Sequence, residues 1–115
     1  MLIPTLEEVK RLESKGNLVP IYAEVPADLE TPVSVYLKVA NEAHSFLLES
    51  VHGGETLGRY SFIGTDPYKV LQFPANDAAY GEKDPLRYVE EELAQFHPVD
   101  IEGLPRFNGG AVGYL

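Results

Sequence analysis

The chain has 115 residues, the length of one small domain, so we treat residues 1–115 as a single domain. Nine Lys and Arg against eighteen Asp and Glu give a formal charge of −9, which disfavours nucleic acid and anionic membranes as partners. The absence of cysteine excludes disulfides, thiolate zinc sites and thiol nucleophiles. Residues 1–5 do not resemble an export signal, and no apolar run approaches the ~18 residues of a membrane span, so a cytoplasmic protein is expected.

The first predicted element is a helix that begins after Thr5. Thr5 and Glu8 have the spacing of a capping box, in which each side chain bonds the backbone amide of the other residue. Gly16 is expected to end the helix in a left-handed conformation. The stripe expected to be buried is Leu6, Val9 and Leu12. Residues 18–25 (LVPIYAEV) then predict an edge strand, because Pro20 cannot donate to a sheet.

The second predicted helix starts at Thr31-Pro32, with Thr31 as the N-cap and proline in the first turn. Its apolar residues fall at helical spacing. They are expected to form one buried face consisting of Val33, Tyr36, Leu37 and Ala40.

Two β-type runs follow, residues 45–51 (SFLLESV) and 59–64 (RYSFIG). The seven residues between them include three glycines, so the runs are predicted to pair as a hairpin. Residues 68–73 (YKVLQF) predict a third strand after the turn at Asp66-Pro67.

The last part of the chain predicts a helix and a strand. The helix starts at Asp84-Pro85 and is expected to bury Leu86, Val89 and Leu93. Residues 112–115 are apolar and glycine-spaced, which favours a final strand whose next element is missing. The element order predicts an α+β fold, with an antiparallel sheet and helices on its outside.

The sequence contains no motif for catalysis or metal binding. His44, His52 and His97 lack the spacing of a metal site or a nucleophile triad. The glycine pairs at 53–54 and 109–110 match no phosphate-binding loop. No catalytic residue and no metal ligand is therefore assigned.

Glu49 is an unusual residue, because its predicted strand is apolar on both faces. A buried, unpaired carboxylate is costly, so Glu49 is expected to face a cation. Arg59 at the start of the paired strand is one candidate, and the ammonium group of a ligand is another. With Ser50 beside it, Glu49 could hold the amino and carboxylate groups of a free amino acid.

Five segments resemble the N-terminal region of anthranilate synthase component I, in the order of that family. In chain order they are residues 21–24 (IYAE), 28–34 (DLETPVS), 46–50 (FLLES), 58–64 (GRYSFIG) and 107–115 (FNGGAVGYL). Together they are spread over most of the chain, from residue 21 to residue 115. The resemblance implies that this chain forms part of the α/β sandwich of that family, in which antiparallel sheets stack with helices outside.

The resemblance also implies the activity of the complete protein. Enzymes of this family convert chorismate and ammonia to anthranilate and pyruvate, with Mg²⁺, in tryptophan biosynthesis. The ammonia comes from a glutamine amidotransferase subunit, component II. Because the chorismate and Mg²⁺ site belongs to the C-terminal domain, the present chain is expected to be non-catalytic and to hold no cofactor of its own.

Feedback inhibition by L-tryptophan is the function that the resemblance carries onto this chain. The family's tryptophan site maps onto Leu48, Glu49 and Ser50, and extends to Tyr60 and Ser61 on the paired strand. The rest of the pocket is expected from the C-terminal domain. Some members of the family have a lysine where this chain has Tyr60, with Arg59 beside it. Which residue of this chain, if any, takes the role of that lysine is therefore open.

Two alternatives remain at the level of the sequence. One is the equivalent region of aminodeoxychorismate synthase component I, the relative in folate synthesis, although residues 31–34 look typical of the tryptophan branch. The other is a free-standing, non-enzymatic domain that binds a small molecule.

Overall fold

The computed structural model describes residues 1–41, 43–50, 60–73 and 84–114, with Ser50 described by its backbone alone. These residues contain three helices and one two-stranded antiparallel sheet, which confirms the α+β class. The elements are α1 (Leu6–Leu12), α2 (Pro32–Val39), β1 (Phe46–Ser50), β2 (Tyr60–Gly64) and α3 (Pro85–Ala94). The chain divides into two compact units, one of residues Met1–Val25 with Phe73–Leu115 and one of residues Pro26–Gln72.

Helix α1 begins as predicted but ends earlier than the glycine signal indicates. The Thr5 hydroxyl accepts a hydrogen bond from the Glu8 amide, and the Glu8 carboxylate accepts one from the Thr5 amide. The helix ends at Leu12, and Glu13 caps it in a right-handed conformation. The role predicted for Gly16 is therefore wrong. A Cβ at Gly16 would lie 2.2 Å from the carbonyl oxygen of His97, so glycine is needed there for close approach of two backbone segments.

Asn17 joins the segment after α1 to the segment after α3. Its Nδ2 donates to the carbonyl oxygen of Gln95 at 2.7 Å, and its Oδ1 accepts from the amide of His97. Its own amide donates to the carbonyl oxygen of His97 at 3.0 Å. One asparagine thus satisfies backbone groups just beyond the end of α3, where a helix leaves carbonyl groups without partners. Val99, close to Gly16, is 6% exposed and is the most deeply buried large aliphatic side chain among the described residues.

The edge strand predicted over residues 18–25 does not form. This segment makes two isolated bridges instead, a parallel one between Leu18 and Pro98 and an antiparallel one between Tyr22 and Ile3. Proline has no amide hydrogen, so Pro98 on the partner segment and Pro20 in this one interrupt a continuous ladder.

Helix α3 has the predicted start, where the Asp84 carboxylate accepts from the amide of Leu86 at 2.9 Å. The prediction of its buried face is wrong in part. Leu86 is 52% exposed and Leu93 is 42% exposed, whereas Val89 is half-buried. Tyr88 packs against Phe73, with ring centroids 5.4 Å apart.

Helix α2 also starts as predicted but buries less than predicted. Thr31 and Ser34 form a capping box in which serine occupies the position usually held by glutamate. Val33 is 53% exposed and Leu37 is 73% exposed, so the predicted buried face is wrong for these two residues. Tyr36 is half-buried, and its hydroxyl bonds the Ser45 hydroxyl at 2.9 Å, beside the start of β1.

Strands β1 and β2 form the predicted antiparallel hairpin. Phe46 pairs with Gly64 at one end and Ser50 with Tyr60 at the other, while residues 51–59 lie outside the described part. Helix α2 packs against both strands. The Phe46 ring lies directly over Gly64, where a Cβ would be 2.0 Å from the ring.

The other two predicted strands are absent from the described residues. Residues 68–73 and 112–114 have no strand pairing, and Leu115, the last residue of the predicted final strand, lies outside the described part. An extended segment becomes a strand only when it joins a regular ladder with a neighbouring backbone, and the ladder found in the described part of the chain joins β1 and β2.

Candidate functional site

The five residues predicted to bind a ligand come together at one end of the hairpin. The register places Leu48 opposite Phe62, Glu49 opposite Ser61 and Ser50 opposite Tyr60. These are three successive cross-strand pairs, and directly opposed residues lie about 4.5–5.5 Å apart at Cβ. Pairing therefore gathers residues that are ten or more positions apart in the sequence into one short stretch of the sheet.

The same register distributes these residues over both faces of the sheet. Because successive residues of a strand point to opposite faces, Leu48, Tyr60 and Phe62 share one face. Glu49 and Ser61 share the other. The rings of Tyr60 and Phe62 stack on their face, with centroids 6.2 Å apart and planes inclined by 24°.

The site is open at this end of the sheet. Tyr60 is 54% exposed and Leu48 is 45% exposed, whereas Phe62 is half-buried. Phe62 was not among the predicted site residues, although its spacing of two from Tyr60 would have placed both rings on one face.

The predicted burial of Glu49 is wrong. Its side chain is exposed, because a two-stranded sheet leaves the end of that face uncovered. The expected cost of burying the carboxylate therefore does not arise in this chain. Arg59, the predicted partner, lies outside the described residues. The Glu49 carboxylate is thus accessible to a cationic group of a ligand.

The described residues show no arrangement typical of a metal centre. In this part of the chain there is no group of three or more His, Asp or Glu side chains close enough together to hold a metal ion. His52 falls outside the described residues. None of the described helices is long and apolar enough to cross a membrane.

An apolar groove lies beside α1 in the first unit. Its volume is about 400 Å³, and its lining consists of Leu2, Pro4, Thr5, Leu6, Val9 and Ile21. The one polar side chain in this lining, Thr5, already serves as the cap of α1. The groove therefore offers apolar surface and no reactive group.

The fold and the hairpin define an α+β chain with an exposed site of mixed polar and aromatic character. Curated relatives specify the family. The chain is 45% identical to the probable anthranilate synthase component 1 of Schizosaccharomyces pombe over 99% of its length. It is 39% identical to anthranilate synthase component 1 of Acetivibrio thermocellus over 100%, and 43% identical to that of Pseudomonas putida over 95%.

These similarities confirm the resemblance found in the sequence: the chain is a homologue of anthranilate synthase component 1 along essentially its whole length. It spans 22%, 25% and 24% of the length of these three relatives. No family model matches the chain. No solved structure matches it either.

Proposed function

We propose that this chain is the N-terminal, tryptophan-sensing part of an anthranilate synthase component I. The complete enzyme would convert chorismate and ammonia, or glutamine, to anthranilate and pyruvate in tryptophan biosynthesis. The names of the three relatives support this activity and favour the tryptophan branch over the folate branch.

The hairpin register is the observation that carries the sensing role. It brings Leu48, Glu49 and Ser50 of β1 opposite the first three residues of β2. An amino acid needs a partner for its ammonium group, donors for its carboxylate and an apolar surface for its side chain. On one face of the sheet, the exposed Glu49 carboxylate suits the first need and the hydroxyl of Ser61 suits the second. Leu48 and Tyr60 lie on the other face, so the apolar surface beside Glu49 would come from the C-terminal domain, which is expected to complete the pocket.

Catalysis is assigned to the rest of the polypeptide. The C-terminal domain would bind chorismate and Mg²⁺, complete the tryptophan pocket and receive ammonia from the glutamine amidotransferase subunit in the cytoplasm. This chain contributes inhibitor binding and no reacting group.

Inhibition in such an enzyme requires tryptophan to bind the inactive arrangement more tightly than the active one. Coupling between two sites is typically about 1–3 kcal/mol, which corresponds to roughly a 5- to 150-fold change in affinity. The residues at the hairpin end would contribute to this difference.

The sensing role is tested by Ser50→Phe in the full-length enzyme. Ser50 occupies the last pair of the hairpin, opposite Tyr60, so a phenyl ring added there competes with the inhibitor for space. For each enzyme, the half-inhibiting concentration is the tryptophan concentration that halves its own uninhibited rate. We expect this concentration to rise roughly 5- to 150-fold in the Ser50→Phe enzyme, since steric overlap of this kind costs ~1–3 kcal/mol.

Ser14→Phe is the matched control. Ser14 is an exposed serine of the first unit, so the same substitution there should leave the half-inhibiting concentration as in the parent enzyme. Unchanged inhibition of the Ser50→Phe enzyme would remove this residue, and with it the hairpin end, from the sensing site.

A further inference from the structure

Asn108 is followed by Gly109, and the pair lies in a bend outside the helices and strands. The other asparagines of the chain, Asn17, Asn41 and Asn76, do not precede a glycine. An asparagine side chain can be attacked by the backbone nitrogen of the next residue, and a residue without a Cβ hinders that approach least. The sequence therefore contains one pair that is suited to this reaction.

The structure leaves both residues of the pair open. Asn108 and Gly109 are exposed, and a Cβ at Gly109 would meet nothing within 4 Å. Within the described residues no backbone hydrogen bond holds the amide of Gly109. The Asn108 carboxamide makes one hydrogen bond, in which Nδ2 donates to the carbonyl oxygen of Pro105 at 3.1 Å. This contact engages the side-chain nitrogen alone, so the carbonyl carbon of the carboxamide stays accessible.

Asn17 is the contrasting case, because its carboxamide is held at both ends. Its Nδ2 donates to the carbonyl oxygen of Gln95, and its Oδ1 accepts from the amide of His97. The next residue, Leu18, forms a bridge with Pro98. Turning the Asn17 carboxamide towards the Leu18 nitrogen would break both of its hydrogen bonds. The fold therefore protects Asn17 and leaves Asn108 unprotected.

We propose that Asn108 is a site of spontaneous deamidation in this protein. The Gly109 nitrogen gives up its proton to solvent and attacks Cγ of Asn108. The new C–N bond closes a succinimide, the bond between Cγ and Nδ2 breaks, and Nδ2 takes up a proton and leaves as ammonia. Water then opens the succinimide at either carbonyl and leaves aspartate or isoaspartate at this position. Both products carry an additional negative charge, and isoaspartate also lengthens the backbone by a methylene group.

This modification is independent of the proposed sensing function. Asn108 belongs to the unit of Met1–Val25 with Phe73–Leu115, whereas the hairpin belongs to the other unit. Failure of the sensing site would therefore leave the deamidation site standing, and the reverse also holds.

The test follows conversion at each asparagine of the full-length protein, incubated at mildly alkaline pH because the attacking nitrogen must lose its proton. Peptide mass spectrometry measures the loss of ammonia, and labelling by isoaspartyl methyltransferase detects isoaspartate. We expect conversion at Asn108 to be at least about tenfold faster than at Asn17. The rate at Asn108 should also lie within about threefold of the rate in urea, since an open bend gives little protection.

Two glycine variants provide a matched comparison. A Cβ at Gly109 or at Gly113 meets nothing within 4 Å, so neither Gly109→Ala nor Gly113→Ala disturbs packing. Gly109→Ala should slow conversion of Asn108 by about tenfold, because the added Cβ restricts the backbone and shields the attacking nitrogen. Gly113→Ala should convert at the rate of the parent.

Three results would overturn the proposal. Equal rates in Gly109→Ala and the parent would show that the Gly109 nitrogen is not the attacking group. Conversion of Asn17 as fast as Asn108 would remove the selectivity that the structure predicts. A rate at Asn108 more than about tenfold slower in the folded protein than in urea would show that the fold protects the pair.

Discussion

A methyl group added at Gly64 would interfere with the pairing of Phe46 and Gly64, the first pair of the hairpin. The Phe46 ring lies over Gly64, and a Cβ there would come within 2.0 Å of Cε1 and 2.4 Å of Cζ. Real Cβ atoms do not approach other carbon atoms so closely, so the ring must leave its place. An aromatic ring over a cross-strand glycine also shields the backbone bonds at that end of the sheet.

We therefore predict that Gly64→Ala destabilises the hairpin by about 1–3 kcal/mol, the usual cost of overpacking. Hydrogen exchange of the β1 and β2 amides, followed by mass spectrometry, measures this loss. Gly109→Ala is the control, since a Cβ at Gly109 meets nothing within 4 Å. Adding Phe46→Leu to Gly64→Ala should restore part of the protection, and an unchanged exchange rate in Gly64→Ala would contradict the steric argument.

For Glu49 the sequence predicted the position at the hairpin correctly but not the burial of the side chain. The resemblance selected it by its place in a motif, and pairing with Ser61 placed it at the hairpin end. Glu49 is exposed and not buried as predicted, because the alternation of apolar neighbours does not determine whether another layer covers the strand. Burial of one side chain depends on the neighbours that other elements supply.

The start of helix α2 depends on a small network around Glu30. Its carboxylate accepts hydrogen bonds from the Lys38 ammonium and the Ser34 hydroxyl, and Ser34 also caps the helix with Thr31. The hydrogen bond from Lys38, followed by that from Ser34, holds the pKa of Glu30 below its usual value of 4.5. The ionised carboxylate is thus favoured in the folded state.

This shift predicts a loss of α2 stability in acid. Since the folded pKa is the lower one, the contribution of Glu30 is fully present above about pH 4.5 and is lost as the pH falls through the folded pKa. Amide exchange of residues 35–39, measured from pH 6 downward, should show less protection at low pH after correction for intrinsic exchange. Glu30→Gln should remove this dependence, and Glu24→Gln, outside the network, should keep it. The same pH dependence in Glu30→Gln would assign the effect to another group.

All three helix starts could be predicted, whereas the buried faces could not. Capping depends on residues within three positions of each other, so the start of a helix can be predicted from the local sequence. The three N-cap residues are Thr5, Thr31 and Asp84. The buried face of a helix depends on what packs against it. Leu37 has the periodicity of a core residue and is nevertheless 73% exposed.

At the scale of the whole molecule, the described residues leave much apolar surface in contact with water. Val99 is the only large aliphatic side chain among them that is almost fully covered. Leu6 is 71% exposed, Leu29 is 99% exposed and Leu37 is 73% exposed. A folded domain of this length normally buries roughly two thirds of the surface of its unfolded chain, and stability comes mainly from that burial.

We predict that the 115-residue chain on its own unfolds with a shallow transition in urea, with a slope below the ~1–3 kcal/mol/M of small two-state domains. It should also bind the dye ANS, which detects exposed apolar surface. The full-length protein is the comparison, in which this region should bind less dye. A steep, two-state transition without dye binding by the 115-residue chain would show that it forms a complete core of its own.

The sequence by itself determined the helix starts, the hairpin and the family, because these depend on short-range capping, on alternating β-formers and on motifs in a fixed order. Only the tertiary structure decided which strands exist, which helix faces are covered and which residues of β2 lie opposite the FLLES motif. Strand pairing and burial depend on backbone and side chains far away in sequence. The register of β1 on β2 is the clearest case, since it turned a predicted pair of strands into a site with one polar and one aromatic face.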